Sequence, residues 1–309
     1  MTLHAHQHQH AAPERKLRLA MLLTAAVLVG EVVGGILSNS LALLSDAGHV
    51  LTDLVALALS WWAVKQVEKA ATARMTYGYH RVGIIVALVN ALSLVAVSLG
   101  IFYGAFLRLR NPEPVEGFLM MVVAAVGLLA NLLVVAWLRS ESQHNLNVRS
   151  AFWHAWGDSL SSIGVIGGGV AIVLTGFQWI DPVVSIAIGL VVGAGAWRLI
   201  KAGTNIILEA SPEHLDTQEI AQAIAAVPKV RSVHDLHVWS VAPGYNLLSG
   251  HLMVEDVPVS QAEQISAEVR KMLKERFHIA HSTVQTECVA CCDPEALFCN
   301  LGSKPEARP

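Results

Sequence analysis

Residues 40–64 read SLALLSDAGHVLTDLVALALSWWAV, an apolar run of membrane-spanning length that nevertheless carries Asp46, His49 and Asp53. A charged side chain at mid-membrane costs roughly 2.5–3.5 kcal/mol on insertion scales, so such groups face a cavity, a partner or an ion path. A second run, SAFWHAWGDSLSSIGVIGGGVAIVL at 150–174, repeats the arrangement with His154 and Asp158. Both carry His-x-x-x-Asp, and i,i+4 spacing puts each pair on one helix face. Two imidazole nitrogens and two carboxylate oxygens form a four-ligand set suited to tetrahedral Zn2+. No Lys or Arg occurs in 19–64 or 150–197, which leaves a divalent cation or bound protons to compensate Asp53 and Asp158.

Depth can be reckoned at 1.5 Å per residue from Trp61 and Trp62 in one run and Arg149 in the other. On that count Asp53 lies ~13 Å and Asp158 ~14 Å from one boundary, whereas His49 lies ~19 Å and His154 ~8 Å deep. The carboxylates are thus expected level, and uniting all four groups needs a relative slide of about one helical turn. Asp46 shares the stripe and reads equally as an exit-path residue or a local cap. Glu31, Asn90 and Asn131 read as helix-packing hydrogen-bonders, and Gly164, Gly167, Gly168, Gly169, Gly189, Gly193 and Gly195 as a seam between the last two apolar runs.

Apolar runs recur near 17–37, 41–64, 82–107, 117–138, 150–175 and 182–208, each close to the ~20 residues that cross ~30 Å of hydrocarbon. With 54% hydrophobic and 15% charged residues and a mean hydropathy of +0.51, the chain reads as an integral membrane protein with six spans. The first residues are polar and His-rich, with no signal-peptide pattern. If both termini are cytoplasmic, Arg15, Lys16, Arg18, Lys65, Lys69, Arg74, Arg81, Arg139, Arg149, Arg198 and Lys201 lie on the inner side and only Arg108 and Arg110 outside, as the positive-inside rule requires. The formal net charge of -3, without a basic face, gives no sign of a nucleic-acid partner.

After the sixth span, DTQEIAQAIAAV has a helical period with Asp216 and Glu219 placed as a capping box. The alternating segments VRSVHDLHVWSV and YNLLSGHLMVE flank a Pro-Gly turn at 243–244. A second helix, SQAEQISAEVRKMLKERF, starts with Ser260 and Glu263 as its capping box, and STVQTE closes as a strand. The expected fold is therefore an all-α six-helix transmembrane domain plus a small cytoplasmic α+β domain of order αββαβ. The expected divisions are a His-rich tail at 1–15, the transmembrane domain at 16–208, the cytoplasmic domain at 209–288 and a Cys-containing tail at 289–309.

The stretches SLALLSDAGHVLTDLVAL, YGYHRVGIIVALVNA, RNPEPVEG, FWHAWGDSLSSIGV, DPVVSIAIGL and VHDLHVWSV together resemble the cation diffusion facilitators, in their ZnT-like zinc-exporting branch. The resemblance covers about 15–287. It implies a homodimer that exports Zn2+ from the cytoplasm in exchange for protons by alternating access, with His49, Asp53, His154 and Asp158 as the transport site. In that family a carboxylate replacing the span-two histidine goes with broader metal acceptance, and the set seen here with zinc preference. The chemistry agrees, because ligation needs neutral imidazoles and ionised carboxylates, so loading Zn2+ releases protons. The resemblance also implies a metallochaperone-like cytoplasmic domain that binds further zinc through His234, His251 and Glu287. Gln285 stands where some members have a ligating histidine, with His281 as the substitute and His237 the weaker candidate.

Cys288 and Cys291 have Cys-x-x-Cys spacing, and Cys292 and Cys299 follow. Crowded at one end, the cysteines read as metal-binding thiols in a reducing compartment, not as a disulfide framework. His4, His6, His8 and His10 read as a weak metal-gathering tract. No organic cofactor is expected. With no His-Glu-x-x-His and no Gly-x-Ser-x-Gly motif, an enzyme is not expected either. The alternative is a membrane-embedded metal sensor or scaffold that binds without transport. The composition fits a bacterial inner membrane first and a eukaryotic vesicle membrane second.

Overall fold

The computed structural model describes residues 7–139, 146–289 and 297–298. Six long helices come first: α1 Gln7–Ser38, α2 Leu41–Val67, α3 Arg81–Arg110, α4 Gly117–Leu138, α5 Leu146–Thr175 and α6 Ile180–Ile207. All six are long and apolar enough to cross a membrane. Their outer faces suit lipid, not water: Leu174 is 78% and Val191 74% exposed. Helix α1 runs back to Gln7, through His8 and His10, while His4 and His6 lie outside the described residues. The chain divides into two compact units, residues 1–62 with 86–200 and residues 63–85 with 201–309.

In the first unit, close helix approach depends on glycines at specific crossings. A Cβ on Gly169 would stand 2.5 Å from Met121 Cγ and 3.0 Å from the Gly117 carbonyl oxygen, so α5 and α4 nearly touch backbone to backbone there. Gly34 admits Val123 from α4, and Gly189 admits Phe102 from α3. The expected seam between α5 and α6 is corrected by these contacts. Gly168 meets Val184 of α6, but nothing lies within 4 Å of a Cβ built on Gly164, Gly167 or Gly195. Successive positions turn by ~100° around a helix, so a run of glycines serves different neighbours instead of one.

One end of this unit is tied by a buried carboxylate. Asp181 at the start of α6 accepts hydrogen bonds from Ser40 Oγ (2.6 Å) and from the backbone N–H groups of Leu41 (2.8 Å) and Ala42 (3.1 Å). It therefore satisfies orphan donors at the N-terminus of α2, where the helix dipole favours an anion. Arg108, in the last turn of α3, pairs with Asp181 at 3.2 Å and donates to the Asn39 carbonyl at 2.6 Å. One carboxylate thus joins the ends of three helices.

In the second unit, α7 Thr217–Ala225 is followed by β1 Val230–Ala242, β2 Tyr245–Val254, α8 Val259–Phe277 and β3 Ile279–Glu287. Strand β1 pairs antiparallel with β2, which pairs parallel with β3, giving the expected αββαβ order. Gly244, at φ +76°, closes the hairpin beside Pro243. Ile220, Ile224, Leu236, Leu248, Leu252, Val269 and Leu273 pack between the helices and one sheet face. Asp216 caps α7 as expected, accepting from Gln218 N at 2.8 Å. The cap expected at Ser260 does not form: Pro258 is the N-cap of α8, its carbonyl accepts from Gln261 and Ala262, and Ser260 lies inside the first turn. Strand β3 starts at Ile279, three residues before the STVQTE stretch.

Candidate metal centres

The four intramembrane residues converge. His49 Nε2 lies 3.3 Å from Asp53 Oδ2 and 3.9 Å from Asp158 Oδ1, and His154 Nε2 lies 3.4 Å from Asp53 Oδ2 and 3.5 Å from Asp158 Oδ2. A tetrahedral ion with bonds of ~2.0–2.1 Å needs ligand atoms ~3.3 Å apart, so these separations suit one cation at the centre. Asp53 Oδ2 is buried yet makes no hydrogen bond among the described residues. A lone pair converging with imidazoles but left unmatched by a proton donor is suited to a metal.

The pairing also gives the register of α2 against α5. His49 meets Asp158, Asp53 meets His154, and Ser161 Oγ donates to Asp46 Oδ1 at 2.6 Å. Each step along α2 is matched by an equal step back along α5. The two carboxylates are therefore not level, as depth counting suggests; each lies opposite the other helix's histidine. The one-turn slide is the difference between belt markers and packing. Asp46, 3% exposed, is bonded across to α5 and is not a local cap.

A second cluster stands on the cytoplasmic-type domain. His234 and His251 are cross-strand partners on β1 and β2, with ring centroids 5.3 Å apart. Glu287, at the end of β3, reaches both: its Oε2 lies 3.3 Å from His234 Nε2 and its Oε1 3.1 Å from His251 Nδ1. One ligand atom from each of the three lies within 4.8 Å of the others. Gln285 Nε2 donates to Glu287 Oε1 at 2.7 Å, so the residue standing at the family's histidine position holds the carboxylate.

The i,i+3 spacing of His234 and His237 would send them to opposite faces of a regular strand. A bulge intervenes, with Asp235 at φ +50°. It turns His237 to the face of His251, where His237 Nε2 meets Asp235 Oδ1 at 3.0 Å. His281 is not brought to this cluster: it lies opposite Leu247, its ring against Tyr77 at 6.2 Å between centroids. The reason is strand length, since Gln285 lies four positions further along β3, ~13 Å of strand. Cys288 is exposed with a free thiol; Cys291, Cys292 and Cys299 lie outside the described residues.

Residues 17–208 match the family profile described as cation efflux transmembrane domain, and residues 212–289 that of the cation efflux protein, cytoplasmic domain. The chain belongs to the cation efflux family, the cation diffusion facilitators. This facilitator is similar to the metal cation efflux system protein CzcD of Cupriavidus metallidurans, at 41% identity covering 93% of this chain and 90% of that one. It is also similar to the zinc transporter ZitB of Escherichia coli, at 40% identity with coverage of 94% and 95%, respectively. The cadmium, cobalt and zinc/H(+)-K(+) antiporter of Bacillus subtilis is 35% identical, with 95% of each chain covered. A solved structure, the metal-bound C-terminal domain of the CzcD transporter, matches 24% of this chain and 99% of its own at 34% identity, with a TM-score of 0.22. The facilitator is thus a multi-pass membrane transporter of metal cations, not an enzyme.

Sequence reasoning missed three groups, one tying the helix ends and two beside these centres. Asp181 has a legible signal, an Asp-Pro pair opening a span, since an acid at a helix start often caps. Ser161 has none, because serines are common in packed membrane helices. The Asp235 bulge is hinted at by the misfit of His-Asp-Leu-His with a two-residue period.

Proposed function

We propose that the protein exports Zn2+ from the cytoplasm in exchange for protons, by alternating access, as a homodimer. The cargo ion is held by His49, Asp53, His154 and Asp158 between α2 and α5. The observation that carries this reading is the convergence of those four donors, at separations of 3.3–3.9 Å, inside helices of membrane-spanning length. Zinc and protons compete for the same atoms, because imidazole ligates only when neutral and carboxylate only when ionised. Acid on the far side releases the metal and a neutral cytoplasm reloads it. The names of the CzcD, ZitB and antiporter relatives, which between them include zinc, efflux and protons, support the same cargo and coupling.

On this reading both termini face the cytoplasm of a bacterial inner membrane, with the basic residues on the inner side. His234, His251 and Glu287 bind a further zinc ion, and Cys288 and Cys291, which follow Glu287 in the sequence, are further candidate thiolate ligands. The test is zinc uptake into proteoliposomes under an imposed pH gradient, comparing wild type with Asp53→Ala and Asp158→Ala. Gradient-driven uptake by the wild type alone is expected. Uptake surviving both substitutions would rule out this site, and zinc binding without uptake would favour the sensor or scaffold reading.

A further inference from the structure

A second acidic pocket lies outside the four-ligand set. Glu31 on α1 is 2% exposed, and its Oε2 has no hydrogen-bond partner among the described residues. Its Oε1 lies 3.0 Å from where a Cβ on Gly127 of α4 would stand, so the missing side chain there makes the room for the carboxyl. Ser162 Oγ of α5 lies 3.9 Å from that same point, is buried, and also lacks a hydrogen-bond partner among the described residues. Val27 closes the pocket from within α1.

The ionisable groups that bear on Glu31 are Asp46 on α2 and Asp158 on α5, both acids. Leu19–Ser38 of α1 and all of α4 add no other ionisable residue. A buried carboxylate with no cation and no donor is costly, so a cation must visit it. One carboxyl and one hydroxyl are too few donors for zinc, which takes four ligands. A single carboxyl is enough for a proton, which makes it one O–H donor with acceptor capacity left over.

We propose that Glu31 takes up and gives back one proton of its own in the transport cycle, separate from the protons displaced from the zinc ligands. The carboxylate and a proton form the carboxylic acid, and nothing else is exchanged. Coupling follows from charge: Zn2+ held by the four ligands compensates the ionised form of Glu31, and its departure favours the protonated form. The proposal rests on proton exchange as the proposed function, but its test does not need transport.

The number of protons released on zinc binding is measured by calorimetry in buffers of different ionisation enthalpy, on the detergent-solubilised full chain. Glu31→Gln is expected to release one proton fewer than wild type at the intramembrane site and, because the coupling is reciprocal, to bind zinc there at least about tenfold more weakly at the same pH, while the cytoplasmic cluster contributes equally to both. Glu31→Asp and Ser162→Ala, which keep an acid in place, are expected to retain the wild-type count. In proteoliposomes the H+ to Zn2+ ratio of Glu31→Gln drops by one. An unchanged count in Glu31→Gln would overturn the proposal. So would a count lost equally in Ser162→Ala, which would mark a packing effect. If wild type binds zinc without moving it, the antiporter reading fails while the proton count still decides the role of Glu31.

Discussion

At the scale of single residues, the proposed zinc set is economical because each acid faces two imidazoles. Asp53 Oδ2 stands 3.3 Å from one histidine and 3.4 Å from the other. Asp53→Asn and Asp158→Asn keep shape and remove an anionic ligand. Since even outer-shell losses cost ~10–100-fold in metal affinity, each substitution is expected to lower zinc uptake at least that much in the proteoliposome assay. His49→Asp exchanges a borderline nitrogen for a hard oxygen, so competition assays should show weaker discrimination of Zn2+ against Cd2+ and Mn2+. The four residues themselves were legible because i,i+4 spacing is written in the sequence. Their partners across the bundle were not: Trp61 and Arg149 mark a boundary only to within about a turn, and one turn decides whether Asp53 meets Asp158 or His154.

At the scale of elements, two features govern how the helices hold together. Asp181→Asn removes the anion that caps α2 and pairs with Arg108, and should cost roughly 2–3 kcal/mol, read as a lower melting temperature of the solubilised protein. Gly169→Ala puts a methyl 2.5 Å from Met121 Cγ and 3.0 Å from a backbone carbonyl. Because a backbone atom yields little, α4 and α5 must separate, and a loss of about 1–3 kcal/mol should appear in the same melt, whereas Gly164→Ala, with open space around it, should be close to neutral. The six spans and the αββαβ order were readable from hydropathy and period. The start of α8 was not, because Pro258 supplies a helix-compatible φ of -56° where Ser260 offered the stronger capping signature. Nor was the bulge, because Asp235 tolerates a left-handed backbone at little visible cost in sequence.

At the scale of the whole molecule, the two candidate metal centres sit in separate compact units, and each closes within its own unit. Zinc titration should therefore lose one equivalent in Asp158→Ala and a different one in His234→Ala, and two in the double variant. Zinc at a hundredfold over its dissociation constant should stabilise the fold by about 2.7 kcal/mol per site. Since every nitrogen and carboxylate ligand must be deprotonated to bind, that gain is greatest at neutral pH and declines as the solution is acidified. The matched register of α2 and α5 has a further consequence. A half-turn about an axis lying in the membrane plane exchanges His49 with His154 and Asp53 with Asp158, so the ligand set presents much the same pair of groups to both membrane faces. The symmetry is one of ligand types and not of access, since His154 and Asp53 are 41% and 19% exposed and His49 and Asp158 24% and 6%. Directionality then falls to what breaks the symmetry, the Asp46–Ser161 bond on one side and the imposed gradients, so reversing the pH gradient should make the same carrier run zinc backwards.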